Sequence, residues 1–221
     1  DIFADFRKAN ARKFRGFLAP EHTLTADTAA IPAASFEAGL NDERRLFMEL
    51  MTGPQSAAQR YYFFAERQAN KIPDVPDDTP VRPIGKVGII GAGTMGGGIA
   101  MNFANAGIPV LIVEQKQEPL DRGLATIRKN YERTAARGGI TAEQVEQRCA
   151  LITGSLALED FKDVDLVIEA VFERMDIKKD VFTRLDAICK PGAILASNTS
   201  YLNVDEIASV TTRPQYVIVL H

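Results

Sequence analysis

The chain has 221 residues, enough for one domain or two small ones at roughly 100–200 residues each. Apolar residues make up 46% and charged residues 25%, which excludes a disordered chain, a collagen and a disulfide-stapled miniprotein. Lys and Arg number 26 against 29 Asp and Glu, a net charge of −3 with no basic stripe, so no nucleic-acid partner is expected; no apolar run approaches the ~20 residues of a transmembrane segment.

No export signal opens the chain. Cys149 and Cys189 form no CxxC, so two reduced thiols, a cytoplasmic location and no metal site are expected. The chain starts Asp-Ile-Phe and stops one residue after the apolar run Tyr216–Leu220, which reads as a buried strand. That edge suggests a fragment of a longer polypeptide.

Residues 1–72 read as helical. Ile2, Phe3 and Phe6, with the basic run Arg7, Lys8, Arg12, Lys13 and Arg15, suit an amphipathic helix ending near Gly16, its basic residues on a solvated face. A Pro-, Ala- and Thr-rich connection is predicted from Ala19 to Ser35, which puts His22 in a surface loop. Leu46, Phe47, Leu50 and Met51 recur at helical spacing, and Gly53-Pro54 breaks that helix. Ser56 is the predicted cap of the next helix, which carries Tyr61, Tyr62, Phe63 and Phe64. Residues 73–83 hold Pro73, Pro76, Pro80 and Pro83 with Asp74, Asp77 and Asp78, the composition of a semi-rigid linker.

Over 84–221 the pattern changes. Lys86–Ile90 is a short apolar strand, followed by a helix from about Thr94 to Ala106 that Gly107 stops. Val110–Val113 is a second strand and Leu120–Arg137 a long helix. Thr141 with Gln144 forms a capping box. Further strands are predicted at 151–153, 166–168 and 194–196, and further helices at 176–188 and 204–210. Short apolar strands alternating with helices mean parallel βαβ units, hence an α/β fold. It is a doubly wound, mostly parallel sheet preceded by an α-helical segment.

Gly91-Ala-Gly93-Thr94-Met95-Gly96 follows a predicted strand and opens a predicted helix, the context that gives a G-x-G-x-x-G its meaning. Gly91 permits the tight turn, Gly93 lets a pyrophosphate approach the backbone, and Gly96 lets helix and strand pack closely. The anion then sits on free N–H groups at the positive helix end. Gly97 and Gly98 weaken the helix by about 1 kcal/mol each relative to Ala, which points to close packing or a ligand. Glu114 ends the second strand, where a carboxylate binds the adenosine ribose hydroxyls and repels a 2′-phosphate. The expected cofactor is NAD rather than NADP, although Lys116 follows closely. His221 is read as standing at the carboxyl end of a parallel strand, and a histidine, with an unperturbed pKa of about 6.5, is the residue type suited to take a proton from an alcohol near neutral pH.

Residues 89–100 around the glycine loop, Asp165-Leu-Val-Ile-Glu-Ala-Val171 and Ala196-Ser-Asn-Thr-Ser200 resemble, in order, motifs of the L-3-hydroxyacyl-CoA dehydrogenase family. The resemblance implies a Rossmann-type NAD-binding domain over 84–221, with Met95 at the cofactor phosphates. It implies that Val171, Phe172 and Glu173 line the cofactor and that Lys178 contacts it. Ser200 would lie near the nicotinamide and the substrate hydroxyl, Asn198 would organise that loop, and His221 would be the catalytic base. Glu169 reads as a strand-end residue rather than a ligand. The family more often has Asp where this chain has Glu114.

The carboxylate that orients the histidine in the family, and the helical domain supplying much of the substrate pocket, would lie beyond residue 221. Residues 36–40, 43–50 and 56–71 resemble the helical tail that joins the enoyl-CoA hydratase/isomerase part to the dehydrogenase part in multifunctional fatty-acid β-oxidation proteins. That resemblance implies an acyl-CoA substrate and a possible thiolase subunit as partner. Two rival readings are a 3-hydroxy-acid dehydrogenase related to 6-phosphogluconate dehydrogenase and a non-catalytic nucleotide-binding module. Glu114 and Ser197–Ser200 argue against the first, which would carry a basic residue after the second strand and a catalytic lysine.

Overall fold

The computed structural model describes every residue of the chain except Asp77, Phe172 and His221. The chain forms two compact units, residues 1–80 and 81–221.

The first unit is helical. In α1 (Ile2–Asn10) the Asp1 carboxylate accepts from the Phe3 N–H at 3.0 Å and so caps the helix start. The helix stops at Asn10 rather than near Gly16, and the basic run is exposed as expected. The segment predicted as a connection is instead α2 (Ala19–Ala30). Pro20 sits in its first turn, where a missing N–H costs nothing, alanines favour the helix, and the Thr23, Thr25 and Thr28 hydroxyls fold back onto carbonyls four residues earlier. His22 therefore lies on a helix, half-buried and 3.3 Å from Glu49, not in a loop.

Leu24 of α2 is buried, as is Leu46 of α3 (Phe36–Thr52), and the two helices pack on each other. Ser35 caps α3 by accepting from the Ala38 N–H at 3.2 Å. Helix α4 (Pro54–Ala69) starts at Pro54, with Gly53 in the cap position. Ser56 is thus inside the helix, where its hydroxyl accepts from Arg60 instead of capping. Most of the unit's aromatic residues face out: Phe36, Tyr61, Tyr62 and Phe64 are exposed.

The second unit is a six-stranded sheet with every pairing parallel: β1 (Val87–Ile90), β2 (Val110–Val113), β3 (Ile152–Ser155), β4 (Leu166–Glu169), β5 (Ile194–Ser197) and β6 (Val217–Val219). The strand order is β3-β2-β1-β4-β5-β6, the arrangement of the Rossmann fold. Side chains alternate between two cores. Val87, Ile89, Ile112 and Ile168 point to one, shared with α5 (Thr94–Asn105), α6 (Gln117–Ala136) and α7 (Ala142–Ala150). Ile90, Val113, Val167 and Leu195 point to the other, shared with α8 (Met175–Ile188) and α9 (Val204–Ala208).

Helices on both faces follow from the central strands β1, β2 and β4, which are buried along their whole length. Thr141 and Gln144 form the predicted capping box. Several boundaries differ from expectation: β3 covers Ile152–Ser155 rather than 151–153, and α9 ends at Ala208 rather than at 210. α6 begins at Gln117, and a 3-10 helix, Leu158–Asp163, precedes β4 and inserts Phe161 under β1 so closely that a Cβ at Gly88 would stand 2.6 Å from the ring. The strand predicted as buried over Tyr216–Leu220 is the sheet edge, with Ile218, Val219 and Leu220 each more than a third exposed. Among the described residues no helix is long and apolar enough to cross a membrane.

Candidate functional site

The strand ends lie level: in register, Ile90 pairs with Val113 and Glu169, Glu169 with Ser197, and Ser197 with Val219. The ladder continues one residue beyond the strands, through Gly91 N–H to Val113 O, Ala170 N–H to Ile90 O and Asn198 N–H to Glu169 O. Among the described residues, the glycine loop, Glu114, Val171 and Asn198 therefore emerge along one carboxyl edge. Their centre is the β1–β4 boundary, where the strand order reverses and a dinucleotide lies in this fold.

The glycine loop behaves as three different glycines. Gly91 has φ +104°, the left-handed region that glycine tolerates. Gly96 lies against the loop: a Cβ there would be 2.0 Å from the Gly91 carbonyl oxygen. Gly93 has an ordinary extended backbone, φ −73° and ψ −170°, and a Cβ there would meet nothing within 4 Å. Nothing in the fold requires glycine at 93; the space before it is open. No side chain caps α5, so the first-turn N–H groups contributed by Thr94, Met95 and Gly96 have no intrahelical acceptor. Met95 is exposed. Gly97 packs on Ile127, while Gly98 faces open space.

The loop borders a cleft of about 350 Å³ lined by Gly93, Gly98, Glu114, Arg122, Gly123 and Asn130, among others. A pyrophosphate thus meets free N–H groups, a positive helix end and room, which fits the cofactor that the sequence implies. Glu114 reaches back to the loop: one oxygen accepts from the Ala92 N–H at 3.1 Å and the other from the Gln115 N–H at 2.8 Å. Two contributors escaped the sequence analysis. Gly123 of α6 lies so near the loop that a Cβ would be 2.4 Å from the Ala92 carbonyl oxygen. Arg122 lines the same cleft, its guanidinium 3.1 Å from Glu118. A glycine inside a long predicted helix was the available signal for the first.

On the other side of the switch point, Lys178 and Glu169 are both buried, with side-chain exposures of 1% and 0%. The Lys178 ammonium donates to both Glu169 oxygens at 2.8 Å and lies 3.3 Å from Glu173. Glu169 also accepts from the Ser197 hydroxyl at 2.7 Å and the Val171 N–H at 2.7 Å. Glu173 is more exposed; the Thr199 hydroxyl donates to it, and with help from Lys178 and the Ser200 N–H this holds its carboxyl below the usual range against partial burial. Ser200 is exposed at the rim. The Asn198 side-chain amide donates to the Leu220 carbonyl at 2.8 Å, tying the loop after β5 to the end of β6. Phe172 and His221, predicted as cofactor contact and base, lie outside the described residues. Among the described residues no cluster of three or more His, Cys, Asp or Glu could hold a metal.

The sequence comparisons agree with this geometry. The family model for the 3-hydroxyacyl-CoA dehydrogenase NAD-binding domain matches residues 86–221. The peroxisomal bifunctional enzyme of Cavia porcellus is 40% identical across the whole chain, which covers 31% of it. A peroxisomal fatty acid beta-oxidation multifunctional protein of Oryza sativa subsp. japonica is 37% identical over 83% of the chain and 26% of its own length. Among solved structures, (S)-3-hydroxybutyryl-CoA dehydrogenase from Ralstonia eutropha superposes with a TM-score of 0.61 and 36% identity, over 63% of this chain and 49% of that one. The chain spans about a third of the length of its first curated relatives. With the order β3-β2-β1-β4-β5-β6, the strand–glycine loop–helix unit and the family model all falling on the same residues, the chain belongs to the 3-hydroxyacyl-CoA dehydrogenase NAD-binding domain family.

Proposed function

We propose that this chain is the NAD-binding part of a dehydrogenase that oxidises 3-hydroxyacyl-CoA to 3-oxoacyl-CoA in fatty-acid β-oxidation, within a longer multifunctional protein. The observation that carries the proposal is the open space at Gly93 in front of an uncapped helix start. It lies on the same sheet edge as Glu114 and the Asn198–Ser200 loop. Bound there, NAD supplies a hydride acceptor.

The chain's own residues do the rest. The N–H groups of Thr94, Met95 and Gly96 hold the pyrophosphate. Glu114 receives the adenosine ribose hydroxyls and disfavours a 2′-phosphate. Val171, Phe172, Glu173 and Lys178 form the wall on the β4 side, and Ser200 hydrogen-bonds the reacting oxygen. Asn198 holds the Leu220 carbonyl, which fixes the end of the strand that His221 follows. His221 takes the hydroxyl proton as the alcohol is oxidised, a general-base role for which an imidazole side chain is suited.

The domain reading is a helical tail over 1–72, a linker over 73–83 and the NAD-binding domain over 84–221. The partners proposed are an acyl-CoA substrate, a hydratase/isomerase part in the same polypeptide and a thiolase subunit. Two free cysteines fit a reducing compartment. A cytoplasmic location rests on that, whereas the curated relatives are named as peroxisomal; fractionating cells that express the tagged protein decides between the two. The reaction is tested by offering the full-length protein NAD with (S)-3-hydroxybutyryl-CoA, 3-hydroxyisobutyrate or 6-phosphogluconate. Turnover of the CoA thioester alone is expected. Preference for either free acid would overturn the assignment.

A further inference from the structure

We propose that Arg82 is a positioning residue for the oxidation: from the amino edge of the sheet it sets the spacing of β5 and β6, the two strands that lead to Ser200 and His221. The statement rests on the dehydrogenase reading above. Arg82 lies in the Pro-rich stretch expected to be a linker, yet in the structure it belongs to the second unit. Its guanidinium donates to the Gly192 carbonyl at 2.9 Å, in the turn before β5, and to the Tyr216 hydroxyl at 3.1 Å, directly before β6. It also stands over the Tyr216 ring, 4.6 Å from the centroid. One planar fork thus holds the entrances of two neighbouring strands.

The segment that carries Arg82 is itself fixed. Pro83 restricts the Arg82 backbone to extended conformations. The Gly85 and Lys86 N–H groups donate to the Asp165 carboxylate, directly before β4, at 2.8 and 3.0 Å.

β6 depends on such ties. It is three residues long, pairs with β5 alone and leaves Ile218, Val219 and Leu220 each more than a third exposed, so little burial holds it in place. At its carboxyl end the Asn198 amide donates to the Leu220 carbonyl at 2.8 Å, and the Leu220 N–H donates to the Ser197 carbonyl at 3.2 Å. Before its amino end Arg213 binds the Asp186 carboxylate at 2.6 Å and the Lys190 carbonyl at 2.7 Å, which fixes the approach to β6 against α8. Arg82 joins the β6 entrance to the β5 entrance, as Asn198 joins the two exits. A strand held at both ends resists sliding and splaying, and His221 follows Leu220 in the sequence. Roughly 13 Å of strand, at about 3.3 Å per residue, separates Tyr216 from Leu220. That distance keeps Arg82 off a cofactor at the carboxyl edge, so its effect on turnover is one of position.

The test is made on the full-length protein with three variants. Arg82→Met keeps the stem and removes the fork, Arg82→Lys keeps the charge, and Tyr216→Phe removes only the hydroxyl. The quantities read are kcat and KM for acetoacetyl-CoA, NADH affinity, and amide hydrogen exchange by mass spectrometry over 217–220 and, as a control, over 87–90. Arg82→Met is expected to lose about fivefold in kcat while KM and NADH affinity stay within twofold. Its exchange should be at least threefold faster over 217–220 and unchanged over 87–90. Arg82→Lys, which can meet one acceptor at a time, should lie between Arg82→Met and wild type, and Tyr216→Phe should lose about twofold in kcat. A merely structural role would speed exchange in both strands and leave the kcat of the folded protein unchanged. Direct contact with a ligand would appear in KM or NADH affinity instead.

Wild-type kcat, or wild-type exchange over 217–220, in folded Arg82→Met overturns the proposal, and so does a loss carried by KM or NADH affinity. If Arg82→Met does not fold, wild-type kcat and exchange in Tyr216→Phe overturn it. A wild-type protein that does not turn over acetoacetyl-CoA overturns the dehydrogenase reading instead. Exchange over 217–220 in Arg82→Met then still decides whether Arg82 holds β6.

Discussion

Two glycines of one loop should respond to substitution in opposite ways. At Gly93 the backbone is one that any residue adopts and a Cβ meets nothing within 4 Å, so Gly93→Val should leave the fold intact. The stability change should stay within the ~1 kcal/mol that separates poor from good helix-cap residues. The branched side chain would occupy the space of the pyrophosphate, and a loss of at least a hundredfold in NADH affinity, about 2.7 kcal/mol, is expected. At Gly96 a Cβ would stand 2.0 Å from the Gly91 carbonyl oxygen, a backbone atom, and 3.3 Å from Ile89, a buried residue of β1. The backbone must shift, which places Gly96→Ala at or above the 1–3 kcal/mol of an overpacked core. At roughly 2–4 °C per kcal/mol for a chain of this size, its Tm should fall by about 2–12 °C or more. Thermal unfolding by circular dichroism and titration by NADH fluorescence read the two effects separately. Wild-type NADH affinity in Gly93→Val, or wild-type stability in Gly96→Ala, would refute the assignment of the loop.

Further predictions concern charge and thiols. Glu114→Ala should weaken NADH binding and narrow the preference over NADPH, because the carboxylate lines the cleft proposed for the cofactor and holds the Ala92 N–H; titration with each cofactor checks this, and an unchanged preference would count against it. The carboxyl of Asp165 is held below its usual range, first by the Lys190 ammonium and then by the Gly85 and Lys86 N–H groups, against the opposing effect of burial. Glu173 is lowered chiefly by Thr199. Depressed folded values mean that this stability is present above about pH 5 and lost as pH falls through and below the ordinary carboxylate range near 4. Tm should therefore be level from pH 7 to 5 and drop towards pH 3, and less so in Asp165→Asn. Burial pushes the Cys189 thiol up to about 11, so iodoacetamide should label it at neutral pH only in denaturant; mass spectrometry of the labelled peptides checks this.

The second unit was legible because its signals are backbone requirements. The G-x-G-x-x-G between an apolar strand and a helix, the Thr141–Gln144 box and the apolar strands Val87–Ile90 and Val110–Val113 each have one structural meaning. Glu169 and Lys178 were harder. A carboxylate at the end of an otherwise apolar strand and a lysine nine residues on read as a strand end and a cofactor contact. Only tertiary structure shows them buried against each other, and the charge inside an apolar run was the sole hint. In the first unit, Pro20 and the threonines read as a connection because Pro and Thr are poor helix residues in an interior; first-turn placement and packing of Leu24 on α3 override that. The edge position of β6 depends on strand order, which a local pattern does not encode.

The central claim, that this chain carries the NAD site and the base of a 3-hydroxyacyl-CoA dehydrogenase, is tested most directly by acetoacetyl-CoA-dependent oxidation of NADH. The assay is run on this chain, on the full-length protein and on its His221→Ala variant. The account predicts rapid turnover by the full-length protein. It predicts a loss of roughly 10²–10⁴-fold in kcat for His221→Ala with NADH affinity unchanged. It also predicts NADH binding with little turnover by the chain alone, which spans about a third of the length of its first curated relatives. Comparable rates from the chain and the full-length protein, or an unimpaired His221→Ala variant, would contradict it.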